Sequence, residues 1–257
     1  MVKIDLISQE TVMLARSIFG YDFVPLHRPV FEGNERQYLI DCIDSNFVSS
    51  VGAKVTDFEE KVAEFIGSKH AIATVNGTAA LHIAIELAGV KPGDEVISQA
   101  LTFIATCNAI AYAGAKPLFV DVDIDTMGMS PSALKSFLEN NAEKRVDGTF
   151  NKLSGKRISA CVPMHTFGFP CRIVEIAEIC ANWDIALIED AAESLGSYVG
   201  NGHTGTFSSM ATLSFNGNKV ITTGGGGMIL TDDSELAKRA KHLTTTAKVP
   251  HPYEFVH

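Results

Sequence analysis

The 257 residues contain no run of lysine or arginine, no Cys-x-x-Cys pair, no His-x-x-x-His or His-Glu-x-x-His and no Gly-x-Ser-x-Gly. No apolar stretch reaches membrane-spanning length without a charge or a turn signal. The first absence, with a net charge of −9, argues against nucleic acid or an anionic membrane as the main partner. The missing histidine and cysteine spacings leave a metal site without support, so none is expected. Five cysteines at 42, 107, 161, 171 and 180, odd in number and widely spread, suit the reduced thiols of a cytoplasmic protein better than disulfides or zinc. The N-terminus mixes Lys3, Asp5, Glu10 and Arg16 into its apolar residues and offers no uninterrupted core for a secretory signal.

What the chain does have is 46% hydrophobic residues, enough for a substantial core, in alternating elements. Ser8 is a plausible cap for a helix running to Gly20, and "GNERQYLIDCIDSNF" reads as a second helix ending near Asn46. "TDFE" at Thr56–Glu59 has capping-box spacing for a helix stopped by Gly67. The apolar runs "HAIATV", "DEVIS", "KPLFVDV", "RISACVPM" and "DIALIED" then alternate with helical stretches. Strands buried on both faces and joined by helices predict an α/β fold with a mostly parallel sheet. "TFSSMATLSF" and "GGMILTDD" read as further strands, and "SELAKRAKHL" as a last helix. Residues 140–155 read as a polar loop, and the tail "TTTAKVPHPYEFVH" closes no element, so the chain reads as the front part of something longer.

Several motifs could carry chemistry. Gly200-Asn-Gly202-His-Thr-Gly205 matches a dinucleotide fingerprint literally, but β-branched and aromatic residues follow it instead of a helix, which favours a loop. Gly224–Gly227 lack the Lys-Ser/Thr ending of a nucleotide loop and read as an unusual backbone path or a close approach to a ligand. His165 follows an apolar strand, where a functional and a merely hydrogen-bonding role are equally open; the functional one is substrate contact. Glu189 and Asp190 end a buried strand, where open α/β sheets hold ligands, although an isolated Asp there would more often order a turn. Lys219 lies in a glycine-rich turn, and "VNGTAALH" places Gly77, Thr78 and Ala79 between a strand and a helix N-terminus. A helix N-terminus for a phosphate, an Asp for a ring nitrogen and a Lys for an imine fit one cofactor, pyridoxal 5'-phosphate.

Through "NGTAALHIA", "KPGDEVI", "LTFIATCNAI", "GAKPLFVDVD", "IEDAAESLGS" and "SFNGNKVITTGGGGMI", the sequence resembles the DegT/DnrJ/EryC1/StrS pyridoxal-phosphate-dependent sugar aminotransferases. "VPLHRPVFEGNE" and "NFVSSVG" make it most like those of the legionaminic-acid pathway, which aminate C4 of nucleotide-linked 4-keto-6-deoxy sugars. The resemblance implies the large domain of a type I aminotransferase, a mostly parallel mixed sheet sandwiched by helices, with residues 1–24 as a helical arm and 25–257 as the cofactor-binding domain. It implies Lys219 as the imine-forming lysine and proton carrier, and Asp190 as partner of the pyridine nitrogen. Glu193 would sit by the ring hydroxyl, Phe103 would stack on the ring, and Gly77, Thr78, Ala79 and Ser214 would hold the phosphate. It also implies a glutamate donor, a nucleotide-sugar acceptor and a homodimer with its sites at the subunit interface. Relatives continue into a small C-terminal domain, which the resemblance leads us to expect is absent from these residues. An incomplete fragment that binds cofactor or a partner without turnover is the alternative.

Overall fold

A computed structural model describes residues 2–25 and 27–247, so most of the tail discussed above, from 248 onward, lies outside the described residues. Two compact units are present, Met1–Val30 and Phe31–His257. The first holds helix α1, Val2–Phe19, which begins six residues before the expected cap at Ser8. Residues 2–7 contain no helix breaker, and Asp5 in the first turn favours the positive end of the helix, so nothing delays the start to Ser8. Gly20 closes it at φ +83°, its N–H on Arg16 O.

The second unit is a seven-stranded sheet with helices on both faces. Its strands are β1 His70–Thr74, β2 Glu95–Gln99, β3 Lys116–Val120, β6 Ile158–Val162, β7 Ala186–Asp190, β10 Met210–Ser214 and β11 Gly227–Thr231. They lie in the order β1-β11-β10-β7-β6-β2-β3. Five neighbours, from β10 to β3, are parallel, and β11 runs antiparallel to both β10 and β1. The expected mostly parallel mixed sheet is therefore present. Successive residues go to opposite faces, as the period of two demands. Val96 and Ile188 pack with Leu81 and Ile85 of α4, Gly77–Leu87, and Ile110 of α5, Ile104–Tyr112. Ile97 and Leu187 pack with Leu134 of α6, Pro131–Asn141, and Ile176 of α7, Ile173–Asn182. A third cluster joins Val62 and Ile66 of α3, Ala53–Ile66, to Leu213, Phe215 and Met228.

Two further local expectations are corrected. Helix α3 starts at Ala53 after Gly52, which puts Thr56 inside the helix; its hydroxyl turns back to Gly52 O instead of capping. The stop at Gly67, φ +85°, is as expected. Residues 140–155 are not a loop but a hairpin, β4 Ala142–Arg145 paired with β5 Gly148–Asn151. The Arg145 guanidinium lies 4.3 Å from the Phe150 ring centre, and Asn151 reaches the buried Glu95 at 2.9 Å; such pairs are invisible to local polarity. Helix α2, Glu35–Asp44, and helix α8, Ser234–Thr244, stand where expected. The Gly200–Gly205 stretch forms the turn of a small hairpin, β8 Tyr198–Val199 with β9 Gly202–His203, and opens no helix. Among the described residues no helix is long and apolar enough to cross a membrane, no group of His, Cys, Asp or Glu could hold a metal, and all five cysteines are free.

Candidate active site

The carboxyl ends of the parallel strands meet at one edge of the sheet, and the chemistry-bearing residues gather there. Strand β7 ends on Asp190, which is 3% exposed. Thr106 Oγ1 donates to its Oδ2 at 2.7 Å and Ala192 N–H to its Oδ1 at 3.2 Å. Burial pushes this carboxyl above its ordinary value; the Thr106 hydroxyl, the Ala192 N–H and the charge of Lys219 pull it back.

Strand β10 ends on Ser214, and the chain returns as β11 at Gly227, which is directly opposite. Between them, residues 215–226 form a closed excursion. Phe215 N–H bonds Gly226 O, Thr223 N–H bonds Phe215 O, and Lys219 N–H closes the turn on Asn216 O. That turn aims Lys219 inward, where its Nζ lies 2.8 Å from Glu193 Oε1 and 5.7 Å from the Phe103 ring centre. Phe103 itself caps α5 and is 64% exposed, so its ring face is open and not core.

A second group lies at the N-terminus of α4. Asn76 caps the helix by accepting from Ala79 N–H at 2.8 Å. Ala79 therefore has its donor occupied, and the expectation that it offers one to a phosphate is corrected. The N–H groups of Gly77 and Thr78 are first-turn donors without an intrahelical acceptor. Gly77 lies against Ser214: a Cβ built there would be 2.9 Å from Ser214 Cβ and 3.2 Å from its Oγ. Gly227 lies against the same turn, where a Cβ would be 2.4 Å from Asn76 C and 2.5 Å from Gly77 N. The glycine run thus does what the sequence suggested in part: Gly224 and Gly226 have positive φ, but Gly227's close approach is to the 76–77 peptide and not to a ligand. Beside this loop opens a cavity of about 940 Å³ walled by Phe47, Val48, Val75, Phe215 and Gly225–Gly227.

His165 does not fit substrate contact. It is fully buried; its Nδ1 accepts from Cys171 N–H at 3.3 Å and its Nε2 lies 3.1 Å from Glu189 Oε2. With Nδ1 accepting, the ring is neutral and Nε2–H donates to the carboxylate. Gly205 N–H, Phe207 N–H and Ser208 Oγ also donate to Glu189, so this pair ties β7 to the turn before β10. Cys171 beside it is pushed up to about 12, chiefly by burial, which leaves it an inert thiol. Sequence reasoning missed Thr106 and Asn76, although each stands on the first turn, or at the cap, of a helix already singled out.

The arrangement passes a physical test for pyridoxal phosphate. Two glycines whose Cβ atoms would collide bring a free helix N-terminus and a serine hydroxyl together, which suits a phosphate. A buried, hydrogen-bonded carboxylate suits a protonated ring nitrogen, and an open aromatic face and a lysine stand beside it.

Comparison with known proteins gives the same direction. The profile of the DegT/DnrJ/EryC1/StrS aminotransferase family matches residues 29–255. "Putative pyridoxal phosphate-dependent aminotransferase EpsN" of Bacillus subtilis is 40% identical over 225 residues, 88% of this chain and 55% of the relative. "GDP-perosamine synthase" of Caulobacter vibrioides is 40% identical over 215 residues, 84% of this chain and 54% of the relative. The crystal structure of the aminotransferase TlmJ from Streptoalloteichus hindustanus superposes with a TM-score of 0.80 at 30% identity, covering 91% of this chain and 60% of that one. The chain spans about half the length of the curated relatives it matches.

Proposed function

Because the chain belongs to the DegT/DnrJ/EryC1/StrS aminotransferase family, we propose that it is a pyridoxal-phosphate-dependent enzyme acting on sugar nucleotides. It moves an amino group from glutamate to the 4-keto group of a nucleotide-linked 4-keto-6-deoxy sugar, in the cytoplasm and as a homodimer. The observation that carries this reading is Lys219 Nζ held between Glu193 and the open Phe103 ring, beside the buried Asp190. Relatives named for GDP-perosamine and for a TDP-sugar product support a sugar nucleotide as acceptor. Leu101, Phe103, Ile104, Val220 and Ile221 are exposed around the lysine, an apolar rim suited to a second copy.

When bound, pyridoxal phosphate supplies an aldehyde that takes up and returns the amino group and a ring that accepts electron density. Gly77 and Thr78 N–H, with the hydroxyls of Thr78 and Ser214, would hold the phosphate at the α4 N-terminus. Asp190 would keep the proton on the ring nitrogen, Phe103 would stack on the ring, and Glu193, which pairs with Lys219, would contact the ring hydroxyl side. Lys219 would form the imine with the aldehyde, and its Nζ would serve as the base that moves a proton during the transfer.

The test is to incubate the purified chain with pyridoxal phosphate, reduce with borohydride and find the cofactor's mass on the Lys219 peptide. Glutamate should then convert the unreduced holoprotein to the amine form of the cofactor, and a GDP-, UDP- or TDP-linked 4-keto sugar should reverse it. Label at another lysine refutes the site. Label at Lys219 with no response to glutamate or sugar supports instead a piece that binds cofactor without turnover.

A further inference from the structure

Asp190 is sealed from water at the end of β7, and its orientation must come from its donors. Among the described residues its side chain has two: Ala192 N–H, only two residues away, and Thr106 Oγ1, 84 residues earlier in the chain. Thr106 is fully buried on the first turn of α5. An ionised carboxylate can only accept, so the single hydroxyl proton of Thr106 is committed to Asp190 Oδ2. The lone pairs of that hydroxyl face Thr102 Oγ1, which donates to it at 3.3 Å. The Thr102 hydroxyl also reaches Phe103 O at 3.5 Å and Met164 Sδ at 3.7 Å, so the committed link is the one from Thr106 to the end of β7.

We propose that Thr106 is a positioning residue of the cofactor site, its hydroxyl fixing the orientation and the ionised form of Asp190 on which recognition of the cofactor ring depends. The proposal rests on the pyridoxal phosphate reading above. Its physical basis is the cost of a buried charge, which a short charge-assisted hydrogen bond offsets. Other groups around Asp190 cannot replace it. His165, after β6, is neutral with Nδ1 accepting from Cys171; Lys219, on the 215–226 loop, is paired to Glu193; Glu189, on β7, is a like charge occupied by four donors. Because Phe103 and Thr106 share one helical turn, the same element that presents the ring face also sets the carboxylate.

Thr106→Val keeps the shape and removes the donor, and Thr106→Ser keeps the donor. In the cofactor-free chain labelled with ¹³Cγ-aspartate, the Asp190 resonance is identified by its loss in Asp190→Asn. In Thr106→Val its titration moves to higher pH and pyridoxal phosphate binds about tenfold more weakly, the loss expected for one hydrogen bond to a charged group. Thr106→Ser returns both to native. If the valine variant does not fold, Thr106→Ala carries the same expectations. A folded variant without the hydroxyl that titrates and binds as the native chain overturns the proposal, as does serine that restores neither. If the titration moves but the native chain takes up no pyridoxal phosphate, the proposed function fails while the hold of Thr106 on Asp190 stands.

Discussion

Gly225 and Gly227 are separated by one residue in an unbroken run of glycines, yet the structure gives alanine at the two positions opposite consequences. At Gly227 the added Cβ would be 2.4 Å from Asn76 C, 2.5 Å from Asn76 O and 2.5 Å from Gly77 N. All three are backbone atoms, and ordinary contact begins near 3.4 Å, so the strand and the helix N-terminus must separate by about 1 Å. Strand β11 cannot yield freely, because Gly227 is paired with Ser214 on one side and Thr74 on the other. The cost therefore falls at the upper end of overpacking, about 3 kcal/mol. The displaced peptide carries the N–H of Gly77, and the N–H of Thr78 is on the next peptide. Losing one good hydrogen bond to a phosphate costs about 1.5–3 kcal/mol, or roughly 10- to 100-fold in affinity. At Gly225 the nearest atom is Val75 O at 3.8 Å and φ is not positive, so alanine should change neither quantity. The assays are a denaturant titration of the cofactor-free chain and an absorbance titration with pyridoxal phosphate. Gly227→Ala with native midpoint and native affinity, or Gly225→Ala as damaging as Gly227→Ala, would refute the reasoning.

The Asp190 carboxyl is raised by burial, so the folded state binds its proton more tightly than the unfolded state and its ionisation costs stability as pH rises. Asp190→Asn should make the cofactor-free chain melt higher than native at pH 7, with the difference vanishing below the ordinary aspartate value of 3.8, while cofactor affinity falls; equal melting at pH 7 would contradict this. Lys219→Ala should still bind pyridoxal phosphate through the α4 N-terminus and Asp190 but carry no cofactor mass after borohydride reduction; a labelled mutant would remove Lys219 from its role. His165→Leu leaves Glu189 one donor short and should lose about 1–3 kcal/mol in a denaturant titration, with borohydride labelling of Lys219 unchanged. A variant of native stability that still labels but no longer responds to the keto sugar would restore the substrate-facing role withdrawn above.

Much of the fold was legible because each buried strand is a continuous apolar run with a helix between it and the next. "DIALIED" becomes β7 and "RISACV" becomes β6 with no more information than periodicity and length. The hairpin at 142–151 was not legible. Its buried residues are Ala142 and the polar Thr149 and Asn151, and it is held by Arg145 on Phe150 and Asn151 on Glu95, contacts that cross between elements. The starts of α1 and α3 were misplaced for a related reason. Ser8 and Thr56 are good caps in isolation, but a helix begins where the chain first permits it, and Gly52 already frees the turn before Thr56.

The site divides in the same way. Lys219, Asp190, Ser214 and Gly77 each carry a local mark, a turn or a strand end or a helix start, and the structure gathers them at the carboxyl edge of the sheet. His165 carries the same kind of mark, a strand end, and it is there that local reading fails. Whether a side chain at a strand end faces the cleft or the interior depends on what stands behind it, and behind His165 are Glu189 and the Cys171 peptide. Thr106 shows the converse: nothing in "LTFIAT" distinguishes its hydroxyl from any other helical threonine. It acquires a role only because β6 stands between β2 and β7, which brings the first turn of α5 against the end of β7. Strand order is a property of the whole chain, so residues that act through strand order are the ones a local reading leaves out.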